Sequence, residues 1–106
     1  MKLTIQYDSG DRAGTEQVFV DPSVIRIGRN PANDCVFSDN ASRTVSGFHA
    51  EIRLVGQRLL IADNQSTNGV LVNGQWAEET ALSTGDRIEL GKDGPSFRVA
   101  LSGVFS

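Results

Sequence analysis

The run Phe48-His49-Ala50-Glu51-Ile52-Arg53-Leu54-Val55-Gly56-Gln57-Arg58-Leu59-Leu60-Ile61-Ala62 decides the fold class. Phe48, Ala50, Ile52 and Leu54 fall on one side of an alternating pattern, and His49, Glu51 and Arg53 fall on the other. A period of two is that of a strand with one face in the core. Gly56-Gln57 then separates this run from the apolar Arg58–Ala62 segment. Two residues opening on glycine between strands predict a type II′ hairpin.

Working outward, the same grammar continues in both directions. Upstream, Leu3, Ile5 and Tyr7 alternate with Thr4 and Gln6, which reads as a half-buried opening strand. Val18-Phe19-Val20 stops at Asp21-Pro22, Val24-Ile25-Arg26-Ile27 stops at Gly28, and Cys35-Val36-Phe37 is a short run. Downstream, Val70-Leu71-Val72 meets Asn73-Gly74, the preferred pair for a type I′ turn, and Gln75-Trp76 follows. Arg87–Leu90 and Phe97–Leu101 close the series. No stretch of twelve residues keeps helical spacing, and 11 glycines sit between the short apolar runs. The expectation is an all-β domain of about ten or eleven short strands. Periodicity by itself leaves both a sandwich and a barrel open.

At 106 residues the chain is the size of one domain, read as 1–106, with a module cut from a longer protein as the alternative. A net charge of −3 argues against a nucleic-acid partner, which normally requires a basic footprint. One Cys and one His allow neither a disulfide nor a metal site, and no cofactor-binding motif is present. The opening residues lack the apolar core of a signal peptide, and no membrane segment is expected. The reading is a cytoplasmic, reducing location, with Cys35 as a small core residue.

Polar residues that interrupt the strands gather in three places: Gly28-Arg29-Asn30, Ser42-Arg43-Thr44-Val45-Ser46 and Ser66-Thr67-Asn68-Gly69. Each lies at the end of an expected strand, where a rigid β scaffold displays binding groups. Their chemistry suits an anion: Arg29 offers a planar fork of donors, Ser46 and Thr67 offer hydroxyls, and Asn68 offers an amide.

Gly28-Arg29, Ser46-Gly47-Phe48-His49, Ser66-Thr67-Asn68-Gly69 and Asn73-Gly74, in that order, resemble the signature of the forkhead-associated (FHA) domain family. The resemblance runs from about Ile25 to Leu90. It implies a two-sheet β-sandwich that binds a phosphothreonine-containing protein or peptide and acts downstream of a Ser/Thr kinase. Carried over by position, Arg29 and Ser46 hold the phosphate with Thr67 beside them, and Asn68 bonds the peptide backbone. Gly28, His49, Gly69 and Asn73 match positions that shape and brace the loops. Where the family often carries Arg, Lys or Asn after the motif serine, this chain has Gly47, and Arg43 is the candidate to supply the missing charge. The alternative is a scaffold FHA module that binds a protein surface without phosphate.

Ser46, His49 and Asp63 could suggest a hydrolytic trio. No Gly-x-Ser-x-Gly elbow surrounds Ser46, however, and His49 opens a strand three residues on. His49 is read as a structural histidine tying loop backbone, and the protein as a non-enzyme. Trp76 is read as packing or an edge anchor.

Overall fold

The computed structural model describes residues 1–10, 12–37 and 43–103. Eleven strands run β1 (Lys2–Tyr7), β2 (Glu16–Val20), β3 (Val24–Gly28), β4 (Cys35–Val36), β5 (Ala50–Val55), β6 (Arg58–Asp63), β7 (Val70–Val72), β8 (Gln75–Ala77), β9 (Glu79–Leu82), β10 (Arg87–Leu90) and β11 (Ser96–Ser102). They form a six-stranded sheet in the order β2-β1-β11-β10-β7-β8 and a five-stranded sheet in the order β4-β3-β5-β6-β9.

The deciding hairpin forms as read. Val55 pairs with Arg58, and only Gly56 of the two turn residues has positive φ, the II′ requirement. Asn73 and Gly74 both have positive φ, as type I′ demands. Alternation turns one face of each sheet inward: Leu3, Ile5 and Tyr7 with Ile88, Leu90, Phe97 and Val99 from one, Ile25, Ile27, Ile52, Leu59 and Ile61 from the other. These residues make one core between two layers, so the molecule is a sandwich. Each fully buried branched side chain contributes about 1.5–3 kcal/mol. Phe37 fills the space between Tyr7 and Phe97, at ring separations of 5.5 and 6.0 Å. Cys35 is fully buried among them, and desolvation pushes its thiol up to about 11.

Two expectations need correction. Phe48 does not join the apolar face: β5 starts at Ala50 and Phe48 is 44% exposed. The Ser46 N–H donates to His49 Nδ1, which curls residues 46–49 into a turn and takes Phe48 out of the pleat. β9 lies in a segment with no expected strand, because only Leu82 of its four residues is buried and Glu79 and Ala81 face solvent.

The topology places three loops at one end. Ile27, Ala50 and Asp63 are in register across β3, β5 and β6, so the end of β3, the start of β5 and the end of β6 coincide. Val70 pairs with Leu90, bringing the start of β7 and the end of β10 into register with each other in the other sheet.

Candidate functional site

At that end the loops are bonded to one another. The Arg29 N–H donates to the Ser46 carbonyl at 3.0 Å, and the Asn30 N–H to the Gly47 carbonyl at 3.0 Å. The Thr67 N–H donates to Ser46 Oγ at 3.1 Å, and Asn68 Nδ2 to the Thr44 carbonyl at 2.9 Å. Arg29, Gly47, Thr67 and Asn68 are exposed and Ser46 is half-buried. Arg43 is exposed beside Thr44, whereas Ser42 lies outside the described residues. Asn68 spends one of its two N–H donors on Thr44, which anchors the amide and leaves the other N–H and Oδ1 to meet a peptide backbone.

His49 is the hub beneath this rim and is fully buried. Its Nδ1 accepts from the Ser46 N–H at 3.0 Å, which leaves the proton on Nε2 to donate to the Gly69 carbonyl at 2.7 Å. One ring thus joins the loop before β5 to the loop before β7. Burial lowers the His49 pKa, opposed by the Gly69 carbonyl and the Asp63 charge. Both nitrogens are occupied by backbone, so neither serves the Ser46 hydroxyl as a base; Asp63 Oδ1 instead accepts from the Ser66 N–H.

Two motif glycines are demanded by their surroundings, Gly28 by close approach of backbone and Gly69 by its positive φ beneath an aromatic ring. A Cβ on Gly28 would stand 2.3 Å from the Gly47 carbonyl oxygen, and one on Gly69 would stand 2.7 Å from Trp76 Cζ3. Gly47 differs: its φ is outside the positive region and a Cβ there meets open space. Asn73 does not reach the rim. It fixes the β7–β8 turn to the start of β10, donating from Nδ2 to Asp86 Oδ1 and accepting from the Arg87 N–H at Oδ1.

Sequence reasoning missed two supports. Asn33 is buried and donates from Nδ2 to the Gly47 carbonyl at 2.7 Å and to the Asn30 carbonyl at 2.9 Å. Thr44 Oγ1 donates to the Leu90 carbonyl at 2.7 Å, and a Cβ on Gly91 or Gly94 would strike Thr44. The contacts join positions 14 and 46 residues apart, and the sequence signals them only as turn residues.

The arrangement is a polar rim on a rigid frame, with a guanidinium, two hydroxyls and a side-chain amide turned to solvent or its margin. The chain as a whole is similar to known proteins. An FHA domain family model matches residues 25–91. The oxoglutarate dehydrogenase inhibitor of Corynebacterium jeikeium is 37% identical over 83 residues, 78% of this chain and 55% of that protein. The chain thus spans about half the length of the curated relatives it matches over most of its own length. Among solved structures, an FHA domain from work on phosphothreonine-dependent FHA domain interactions superposes with a TM-score of 0.80 at 33% identity, covering 96% of this chain and 98% of that one. The FhaA FHA domain complexed with the intracellular domain of Rv3910 gives 0.75 at 35% identity, covering 92% and 98%. On the family match and these likenesses together, the chain belongs to the FHA domain family.

Proposed function

We infer that this domain is a phosphothreonine reader, a binding module and not an enzyme, which docks proteins marked by a Ser/Thr kinase. In this reading Arg29 and Ser46 hold the phosphate, Thr67 stands beside them, and Asn68 Oδ1 accepts from the peptide backbone. Arg43 and the Gly47 backbone flank the same rim. A phosphothreonine brings about −1.5 to −2 charges and three acceptor oxygens, which an arginine fork and hydroxyl donors satisfy. The observation that carries the reading is the cross-bonding of Arg29, Ser46 and Thr67, whose loops meet at the Ser46 carbonyl and hydroxyl. That preorganisation means little ordering cost falls on binding. The FHA relatives solved with phosphothreonine-dependent interactions in view, and the dehydrogenase inhibitors, support a binding role over a catalytic one. Among the described residues no helix is long and apolar enough to cross a membrane. The proposed setting is intracellular, where kinases act.

Calorimetric titration with a phosphothreonine peptide and its unphosphorylated twin tests the reading. Binding of the first alone is expected. Equal binding of both would replace it with the phosphate-independent scaffold reading, in which the missing side chain at Gly47 leaves the rim short of a donor.

A further inference from the structure

A cleft of about 700 Å³ opens on the flank of the sandwich, lined by residues of β8 and β9 and the turns beside them. β8 ends the six-stranded sheet and β9 ends the five-stranded sheet, so among the described residues no strand pairs with the outer side of either. Free edges present backbone N–H and C=O groups, which extended peptides use to add a strand. Proteins commonly blunt such edges with lysine or proline. Residues 75–82 contain neither; their charges are Glu78 and Glu79, at the junction of two short strands, which deter neutral or acidic strands and leave the edges open to a cationic one.

What lines the cleft has one sign of charge. Glu78, Glu79 and Asp86 contribute carboxylates, and no Lys, Arg or His is among the lining residues. Asp86 is committed to the Asn73 side chain and the Ser83 N–H, so the available charge sits on the exposed Glu78 and Glu79. Arg53, whose charge is coupled to that of Glu79, is itself paired with Glu51. Trp76 also lines the cleft and is 63% exposed, the largest solvent-facing apolar side chain described. Tryptophan is enriched among residues that anchor interfaces, and an indole face attracts cations.

We propose that this cleft is a second docking surface, which takes an extended, lysine- or arginine-bearing segment of a partner polypeptide without any need for phosphorylation. The segment lies between the two free edges, sets its cations against Glu78 and Glu79, and packs one of them or its stem on Trp76. None of the residues assigned to the phosphothreonine rim lines this cleft. The Trp76 ring does cover Gly69, immediately after Asn68, so an occupant here abuts the rim.

The probe is a short unphosphorylated peptide alternating arginine or lysine with valine, with a glutamate-bearing counterpart as control. Both are titrated into isotope-labelled domain while backbone amide and indole resonances are followed. The cationic peptide moves the resonances of Gln75–Ala81 and the Trp76 indole, and added salt weakens it. Exposed ion pairs are worth about 1.5- to 5-fold each in affinity, so E78Q/E79Q weakens binding by about 2- to 25-fold. Trp76→Ala is the less clean variant, because losing the ring uncovers Gly69. The double glutamine variant changes only exposed side chains, and a thermal melt checks its fold. Silence at residues 75–81, equal response to the glutamate peptide, or unchanged affinity in E78Q/E79Q overturns the proposal. Shifts confined to Arg29, Ser46 and Thr67 overturn it too, since the peptide would then be using the rim.

Discussion

Gly28→Ala tests the frame on which the rim stands. The added methyl would sit 2.3 Å from the Gly47 oxygen, 2.8 Å from its carbonyl carbon and 2.9 Å from Asn33 Nδ2. Ordinary contact begins near 3.4 Å, so the carbonyl must retreat by about 1 Å. It now accepts from Asn33 Nδ2 at 2.7 Å and the Asn30 N–H at 3.0 Å. The Cβ, the Gly47 oxygen and Asn33 Nδ2 form a tight triangle, so a retreat of about 1 Å stretches the Asn33 bond to about 3.2 Å and strains the Asn30 bond with it, while Nδ2 must itself give way to the methyl. Two weakened bonds, each worth about 0.5–1.5 kcal/mol when intact, cost up to about 1–3 kcal/mol. If the carbonyl holds its place and the strain spreads elsewhere, overpacking costs a similar amount, about 1–3 kcal/mol. Either route predicts a loss near 2 kcal/mol, or a melting point lower by about 10 °C. Phosphopeptide affinity falls as well, because Gly47 follows Ser46 and the displacement passes to its carbonyl, where Arg29 is bonded. Gly47→Ala is the control: its methyl meets open space on permitted φ, and its effect stays within about 0.5 kcal/mol. Paired calorimetric melts and phosphopeptide titrations read both quantities. A Gly28→Ala protein as stable as its parent would refute the close-approach reasoning.

Three further outcomes are expected. Arg29→Ala removes charge-assisted bonds worth about 1.5–3 kcal/mol each and nearly abolishes phosphopeptide binding, while Arg29→Lys recovers part of it, lacking the planar fork; full affinity in a folded Arg29→Ala variant removes Arg29 from the proposed role. Gly47→Arg adds a donor beside the rim and tightens binding by up to about 1–2 kcal/mol with an unchanged melting point, since neither φ nor space opposes it; equal affinity would mean that position 47 does not face the phosphate. The pKa of His49 is lowered in the folded state, so the unfolded chain takes up its proton first as pH falls. Its contribution to stability is therefore complete above about pH 6.5 and declines below it; denaturant midpoints for the parent and His49→Gln across pH 7.5 to 5.5 that fall in parallel would contradict this.

Most of the fold was legible because its signals are local. Alternation in Leu3–Tyr7 and Ala50–Leu54 needs only the pleat, and Gly56-Gln57 and Asn73-Gly74 need only the φ values their turns demand. The loop clusters were legible only as an ordered set, because Ser46, Thr67 and Asn68 taken singly are ordinary turn residues. β9 was not, since Glu79-Thr80-Ala81-Leu82 becomes a strand through pairing with β6, and its own propensity is weak.

The sequence by itself determined the all-β class, the two tight turns, the polar loop clusters and the family resemblance. Strand periodicity left sandwich and barrel open and the resemblance pointed to the sandwich; tertiary structure alone decided that β3 and β4 pair in parallel and that Phe48 turns outward. It also chose the supports of the rim. Asn33 reaches Gly47 across 14 residues, His49 reaches Gly69 across 20, and Thr44 reaches Leu90 across 46. Backbone geometry and side-chain period act over a few residues and are written locally, whereas these bonds exist only after two sheets have packed and brought distant loops to the same end.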